Sequence, residues 1–179
     1  MTTPFVSLSN LLADPPSLTD TPLLLIVAAT LGLIVAGALL WARRRKRPKW
    51  IVLDGSNIMH WKDGTPQIQP LYQVIRHLES LGYAPGVVFD ANAGYLIAGK
   101  YQHDSALGKR LKLPVDRVMV VPKGTPADPF ILTAARDMQA PIVTNDRFRD
   151  WAQQFPEVQK PGLLIQGGYR AGQLWLKFD

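Results

Sequence analysis

The chain has 179 residues, with 20 Lys+Arg against 14 Asp+Glu, a net charge of +6 and no cysteine. That excludes disulfides, thiolate zinc sites and a cysteine nucleophile, and the length suits about one domain plus an appendage. The charge is uneven: residues 1–42 carry only Asp14 and Asp20, residues 43–49 carry six positive charges, and residues 50–179 carry 14 Lys+Arg against 12 Asp+Glu. The basic surplus is thus concentrated in one short run and is no sign, by itself, of a nucleic-acid surface.

In chain order, residues 1–21 are rich in Thr, Ser, Pro and Leu and predict a tail without a core. Residues 23–42, "LLLIVAATLGLIVAGALLWA", hold no charge. At 1.5 Å per residue such a helix covers roughly 30 Å, the thickness of a bilayer's hydrocarbon core. A buried core helix would be shorter and would carry a polar face. "RRRKRPK" follows directly, and the positive-inside rule puts this side of the span in the cytoplasm. A cleaved signal peptide would carry its positive charge before the apolar run. The expected organisation is an outer tail over 1–21, a transmembrane helix over 22–42, a basic linker over 43–49 and a domain over 50–179. This describes a single-pass protein of the bacterial inner-membrane kind, N-terminus outside and domain in the cytoplasm, whose basic run can also attract anionic headgroups.

The domain reads as strands alternating with helices. "WIVLD" is a short apolar strand fit to be buried on both faces. In "IQPLYQVIRHLESLG", Leu71, Val74, Ile75, Leu78 and Leu81 keep helical spacing, and Gly82 stops the helix. "GVVFD" is a second strand, followed by the long connection "ANAGYLIAGKYQHD" and a helix over about 105–111. "RVMVVP" is a third strand. "DPFILTAARDMQ" is a helix with Asp128 as cap and Pro129 at its first position. "PIVTN" is a fourth strand, "DRFRDWAQQF" a short helix, and "GLLIQ" and "QLWLKF" a closing hairpin or paired edge strands around the turn-rich "GGYRAG". Alternation of this kind predicts an α/β fold, a mainly parallel sheet with helices on both faces. Ligands of such sheets bind beyond the carboxyl ends of the strands.

Carboxylates fall at that edge. Asp54 ends the first strand, Asp90 ends the second, Asp128 opens the helix after the third and Asp146 follows the fourth; Asp150 lies four residues further on. Each has a local explanation. Asp54-Gly55 makes a turn, Asp128 caps before a proline, Asn145-Asp146 caps the next helix, Asp90 ends a strand, and Asp150 is a solvated helix residue or a partner behind a ligand. Capping does not explain why the acids share one edge. Crowded carboxylates with room for water suit a hard cation, Mg²⁺ or Mn²⁺.

"IVLDGSNIMH", "VVFDAN", "ADPFILTAA" and "IVTNDRFRDW" resemble, in order and spacing, the motifs of PIN-like ribonucleases, most closely the NYN branch with the regnase-type endoribonucleases. The resemblance covers about 50–151. It implies a Rossmann-like three-layer fold and an acidic site for divalent metal. By motif, Asp54, Asp128 and Asp146 match metal-site acids and Asn57 the polar residue beside the first. Asp150 matches the last acid of N-D-x-[FY]-R-D, as a ligand or behind one, and Asp90 is a further candidate. Regnase-type sequences often carry two adjacent aspartates in the third motif, where this chain has Ala127-Asp128.

The expected chemistry is metal-assisted hydrolysis of an RNA phosphodiester, with Asp54, Asn57, Asp128 and Asp146 as the catalytic group. None of His60, His77 and His103 is required. A polyanion needs cations around such a site. Lys100, Lys109, Arg110, Lys112, Arg117 and Lys123 outnumber Asp104 and Asp116 between 94 and 126, and Arg147 and Arg149 flank Asp146. Tyr95 and Tyr101 are candidates for stacking on unpaired bases, and Gly124-Thr125 for presenting backbone N–H groups to a phosphate. Their bland alternative is a solvated helix face and loop. Two other function classes stay open: a non-catalytic RNA-binding or scaffold module at the membrane, and another metal-dependent phosphohydrolase, including one acting on DNA. A homodimer is also open.

Overall fold

In the computed structural model, residues 20–44 and 48–178 are described, with side chains described for 25–38 of the first segment. That segment is helix α1, Asp20–Arg44. Its described large apolar residues, Leu25, Ile26, Val27, Leu31, Leu33, Ile34 and Val35, are all exposed. They point in all directions around the axis, so no face is polar. Among the described residues no helix is long and apolar enough to cross a membrane; the span predicted over 23–42 runs beyond the described side chains at both ends. The predicted tail up to residue 19 and the side chains of 43–47 also lie outside them.

Pro48–Asp179 forms the second unit. Strand β1 is Lys49–Asp54, followed by the single-turn helix α2, Gly55–Ile58, and by α3, Ile68–Ser80. Strand β2 is Tyr83–Phe89. The connection after it holds a helix that its short, glycine-containing sequence does not advertise, α4, Ala93–Ala98, ended by Gly99 in the left-handed conformation. Helix α5, Asp104–Leu111, leads into β3, Val118–Val120. Helix α6 is Asp128–Met138 and β4 is Ile142–Val143. The last two strands, β5, Leu164–Arg170, and β6, Gln173–Lys177, form the expected hairpin. Here "GGYR" belongs to β5, and the turn shrinks to Ala171-Gly172, both at positive φ, as a two-residue hairpin requires.

The six strands lie in the order β3-β2-β1-β4-β5-β6. All neighbours are parallel except β5 and β6. Successive residues of β1 serve opposite layers: Ile51 and Leu53 pack with Leu71, Val74, Ile75 and Leu78 of α3, while Val52 packs with Ile131, Leu132 and Ala135 of α6. A strand sandwiched in this way must be apolar throughout, as "WIVL" is. The result is the expected three-layer α/β arrangement. Chain order reverses direction at β1, between β2 and β4, and the crevice above that point is where such folds hold ligands.

Two local expectations change. Asp128 is the first residue of α6 rather than its cap; Ala127 holds the cap position with no side-chain bond. The helix predicted after Asp146 is replaced by a 3-10 turn, Arg149–Trp151, because Phe148 takes φ 48 and breaks any helix running through it.

Candidate active site

Asp54 sits at the carboxyl end of β1, 7% exposed. Its Oδ1 accepts from the Asn57 backbone N at 3.0 Å, so it is also the cap of α2. Its Oδ2 accepts from Thr144 Oγ1 at 2.9 Å. The turn reading and the site reading are therefore the same geometry. Thr144, fully buried, follows β4, and its hydroxyl oxygen in turn accepts from the Asp146 backbone N at 3.0 Å. One hydroxyl thus spaces two of the acids. Asp146 Oδ1 accepts from the Phe148 backbone N at 2.8 Å, which explains the left-handed turn there. Asp128 Oδ2 accepts from Trp151 Nε1 at 3.0 Å.

Burial pushes the Asp54 carboxyl up from 3.8 to about 6, against the pull of the Asn57 and Thr144 bonds; the charges of Asp128 and Asp90 add to the rise. Asp128 is also raised, first by burial and then by Asp146, Asp90 and Asp150, with the Trp151 bond opposing. The acids therefore feel one another across the sheet edge. The ion pairs formed among the described residues, Arg76–Glu79 and Arg136–Glu157, involve none of them. Among the described residues no group of three or more acidic or imidazole side chains is gathered tightly enough to hold an ion unaided. The donors are all carboxylate and amide oxygens, which suits Mg²⁺: this ion uses one or two carboxylates and completes its shell with water and substrate phosphate.

The family model for Zc3h12a-like ribonuclease NYN domains matches residues 47–161, from the basic run to the loop before β5. The chain belongs to this family. Two solved structures of the proteinaceous RNase P PRORP2 of Arabidopsis thaliana share the fold of this NYN domain. The first superposes with a TM-score of 0.56 at 18% identity over 90% of this chain, the second with 0.57 at 18% over 92%. The chain spans 37% of the length of either. A comparison with curated proteins gave no significant match.

Within the NYN domain, Asn57 is engaged through both its backbone and its side chain. Its backbone N binds Asp54, and its Oδ1 accepts from Trp61 Nε1 at 2.8 Å and from the Asn145 backbone N at 3.1 Å. Asn57 is a clamp between α2 and the loop after β4. Asn145 extends it by a reciprocal pair with Gly167 of β5, donating to the carbonyl at 2.9 Å and accepting from the amide at 3.1 Å. Ser56 Oγ accepts from the Asp90 backbone N at 2.9 Å, tying α2 to the end of β2. Gly55 allows that closeness, since a Cβ there would lie 2.6 Å from the Phe89 ring.

Two clefts flank the acids. One, of about 510 Å³, is lined by Asn57, Asn145, Asp146, Arg147, Arg149 and Asp150. The other, of about 760 Å³, carries Asp90, Tyr95, Tyr101, Lys123, Gly124 and Thr125. The structure thus brings Arg147, Arg149 and Lys123 to the acidic group. Lys100, Lys109, Arg110 and Lys112 line neither cleft. Lys112 caps the C-terminus of α5 with its Nζ 5.4 Å from the Tyr72 ring centroid, and Arg117 lies over Trp50. Asp104 is structural, accepting from the Val120 backbone N at 2.8 Å. Thr144 and Trp151 are the residues sequence reasoning passed over; the one available signal is that Thr144 immediately precedes Asn145-Asp146.

Proposed function

We propose that this chain is a membrane-anchored, divalent-metal-dependent endoribonuclease acting on cytoplasmic RNA. The observation that carries the reading is the gathering of Asp54, Asp90, Asp128 and Asp146 at the carboxyl edge of the sheet in a ribonuclease NYN domain, with Asp54 and Asp128 raised by burial and mutual repulsion. Asp54, Asp128 and Asp146 are the candidates to hold Mg²⁺ or Mn²⁺, one or two of them directly and the rest through water, with Asp90 and Asp150 at the margins. When bound, the ion makes a water molecule more acidic and offsets charge developing on the phosphate.

The protein's own part is preorganisation. The Asn57 amide and the Thr144 hydroxyl fix the Asp54 plane, and each Asp54 oxygen keeps a lone pair directed away from these bonds. Phe148 N and Trp151 Nε1 occupy one oxygen each of Asp146 and Asp128, leaving Oδ2 and Oδ1 for the ion or its water. Arg147, Arg149 and Lys123 supply the phosphate attraction that a bare acidic group lacks.

The anchor rests on the uncharged run over 23–42 within α1, whose 25 residues would extend over roughly 37 Å, and on the basic run after it, which favours a cytoplasmic domain. One observation favours the scaffold alternative: Ala127 is buried in the α6 layer, so no second carboxylate precedes Asp128. Asp90 weighs against it, since its charge reaches both Asp54 and Asp128.

The test is cleavage of single-stranded and structured RNA by the purified chain with Mg²⁺, Mn²⁺ or EDTA. Cleavage should need the metal and fall roughly 100-fold or more in Asp54→Asn and Asp146→Asn. Cleavage that persists in both variants would sink the site; binding without cleavage under any metal would favour the scaffold. A reporter fused after Asp179 should be active in the cytoplasm, and activity on the other side would overturn the orientation.

A further inference from the structure

The two clefts beside the acids differ in chemistry. The one on the Asp146 side is wholly polar and charged in its lining. The one on the Asp90 side has an aromatic wall, Tyr95 of α4 and Tyr101 just beyond it, with ring centroids 6.5 Å apart and planes at 51°. The local backbone holds the wall in shape. Gly99 ends α4 in the left-handed conformation, turning the chain back. Gly94 then packs directly against Gln102, at a spot where any Cβ would overlap it, and Gln102 is buried. Tyr101 is carried beside Tyr95 by this fold-back, yet the rings remain 53% and 57% exposed.

Around the wall stand Asp90, Asn92, Lys123 and Thr125. Among the described residues the bonds formed here leave these side chains to the cleft: Ser56 takes the Asp90 backbone N, and Asn92 makes no side-chain cap bond. The cleft therefore offers a flat π surface, a cation, and polar groups able to meet a base edge or a sugar hydroxyl. Its volume of about 760 Å³ falls within the usual size of small-ligand sites, about 300–1,000 Å³. It meets the acidic edge at Asp90, the strand-end carboxylate that lines the cleft.

We propose that the Tyr95–Tyr101 cleft binds one unpaired nucleobase beside the phosphodiester to be cut, with Lys123 on a neighbouring phosphate, so that the domain selects single-stranded RNA over duplex. This rests on the ribonuclease reading above. In a duplex both faces of each base are stacked on neighbours and unreachable by a tyrosine ring, whereas an unpaired base offers its face freely. The wall is too tilted to sandwich a base between its rings; the base lies on the open face of one ring, and the other ring closes the edge.

The experiment uses the full chain in detergent with EDTA, so that binding is read without cleavage. The probe is an oligoribonucleotide carrying 2-aminopurine, either single-stranded or annealed to its complement. The single strand should bind with quenched 2-aminopurine fluorescence and at least about tenfold more tightly than the duplex. Tyr95→Ala and Tyr101→Ala should each weaken it about tenfold with unchanged melting temperature, while Tyr95→Phe and Tyr101→Phe retain it. Lys123→Gln should lower the salt slope by about one. Equal affinity for duplex and single strand, or alanine variants that bind like the parent, would overturn the subsite. A matched Mg²⁺ cleavage assay separates the two readings. Cleavage of both RNA forms alike keeps the ribonuclease and sinks the subsite; quenched single-strand binding without cleavage under any metal keeps the subsite and sinks the ribonuclease.

Discussion

Replacing Asp54 by asparagine should stabilise the protein at neutral pH while removing its activity. In the folded chain the carboxyl is raised from 3.8 to about 6, chiefly by burial. A raised carboxyl means that the folded state binds the proton more tightly than the unfolded state. Its contribution to stability is therefore fully present below the unfolded value and is lost as pH rises through about 6. A gap of about two pH units, at 1.36 kcal/mol each, makes the ionised form cost about 3 kcal/mol by pH 8. Asparagine carries no charge to bury. It keeps an oxygen for the Asn57 amide but turns an NH₂ toward Thr144, whose hydroxyl loses its acceptor at a cost of about 1 kcal/mol. The net gain at pH 8 is about 1–2 kcal/mol, or about 3–8 °C in melting temperature for a domain of this size. Scanning calorimetry in EDTA at pH 8 and pH 4.5 checks this: the variant should melt higher at pH 8, and the gap should close or reverse at pH 4.5. Added Mg²⁺ should raise the parent's melting temperature and leave the variant's unchanged. A variant less stable than the parent at pH 8, or a difference that ignores pH, would refute the reasoning.

Thr144→Val removes the donor to Asp54 and the acceptor for the Asp146 amide. It should lower kcat about 10–100-fold with KM little changed, while Thr144→Ser restores most of the loss. Trp151→Phe deletes the bond that holds the Asp128 carboxyl down; the acid limb of the pH–rate profile should move to higher pH, and a profile that stays in place would show that Asp128 does not set that limb. Arg147→Gln and Arg149→Gln should weaken RNA binding across sequences and each reduce the slope of log K against log salt by about one, measurable by titration at several salt concentrations.

The acids were legible because position alone identifies them. A buried strand is apolar from end to end, so a carboxylate directly after "WIVL" or "IVTN" must stand at the sheet edge, whatever the details of the turn. The partners that orient them were not legible. Thr144 looks like any β-branched strand residue, and its role depends on β1 lying beside β4, which no local pattern states. Trp151 reaches Asp128 across 23 positions of chain for the same reason. Charge counting also has limits of this kind: Lys109, Arg110 and Lys112 raise the local basicity of the sequence, but α5 carries them to its C-terminal end, where Lys112 covers Tyr72. The helix α4 is not legible because six residues, one of them Gly94, offer too little periodicity to separate from a loop.

The sheet register and the acidic site are one construction. β1 and β4 pair with Leu53 opposite Val143, and this brings the next residues, Asp54 and Thr144, within bonding distance. A slip of one residue would send Leu53 and Val143 to the wrong layers, so the cores that hold α3 and α6 also hold the separation of Asp54 from Asp146. The charge of Asp54 opposes folding by about 3 kcal/mol at neutral pH, a large share of the about 5–15 kcal/mol by which domains are usually stable. A turn residue would not need that cost, because asparagine or serine would cap α2 as well. In the proposed site a cation beside Asp54 would offset that cost, which is why the Mg²⁺ arm of the melting experiment bears on the reading.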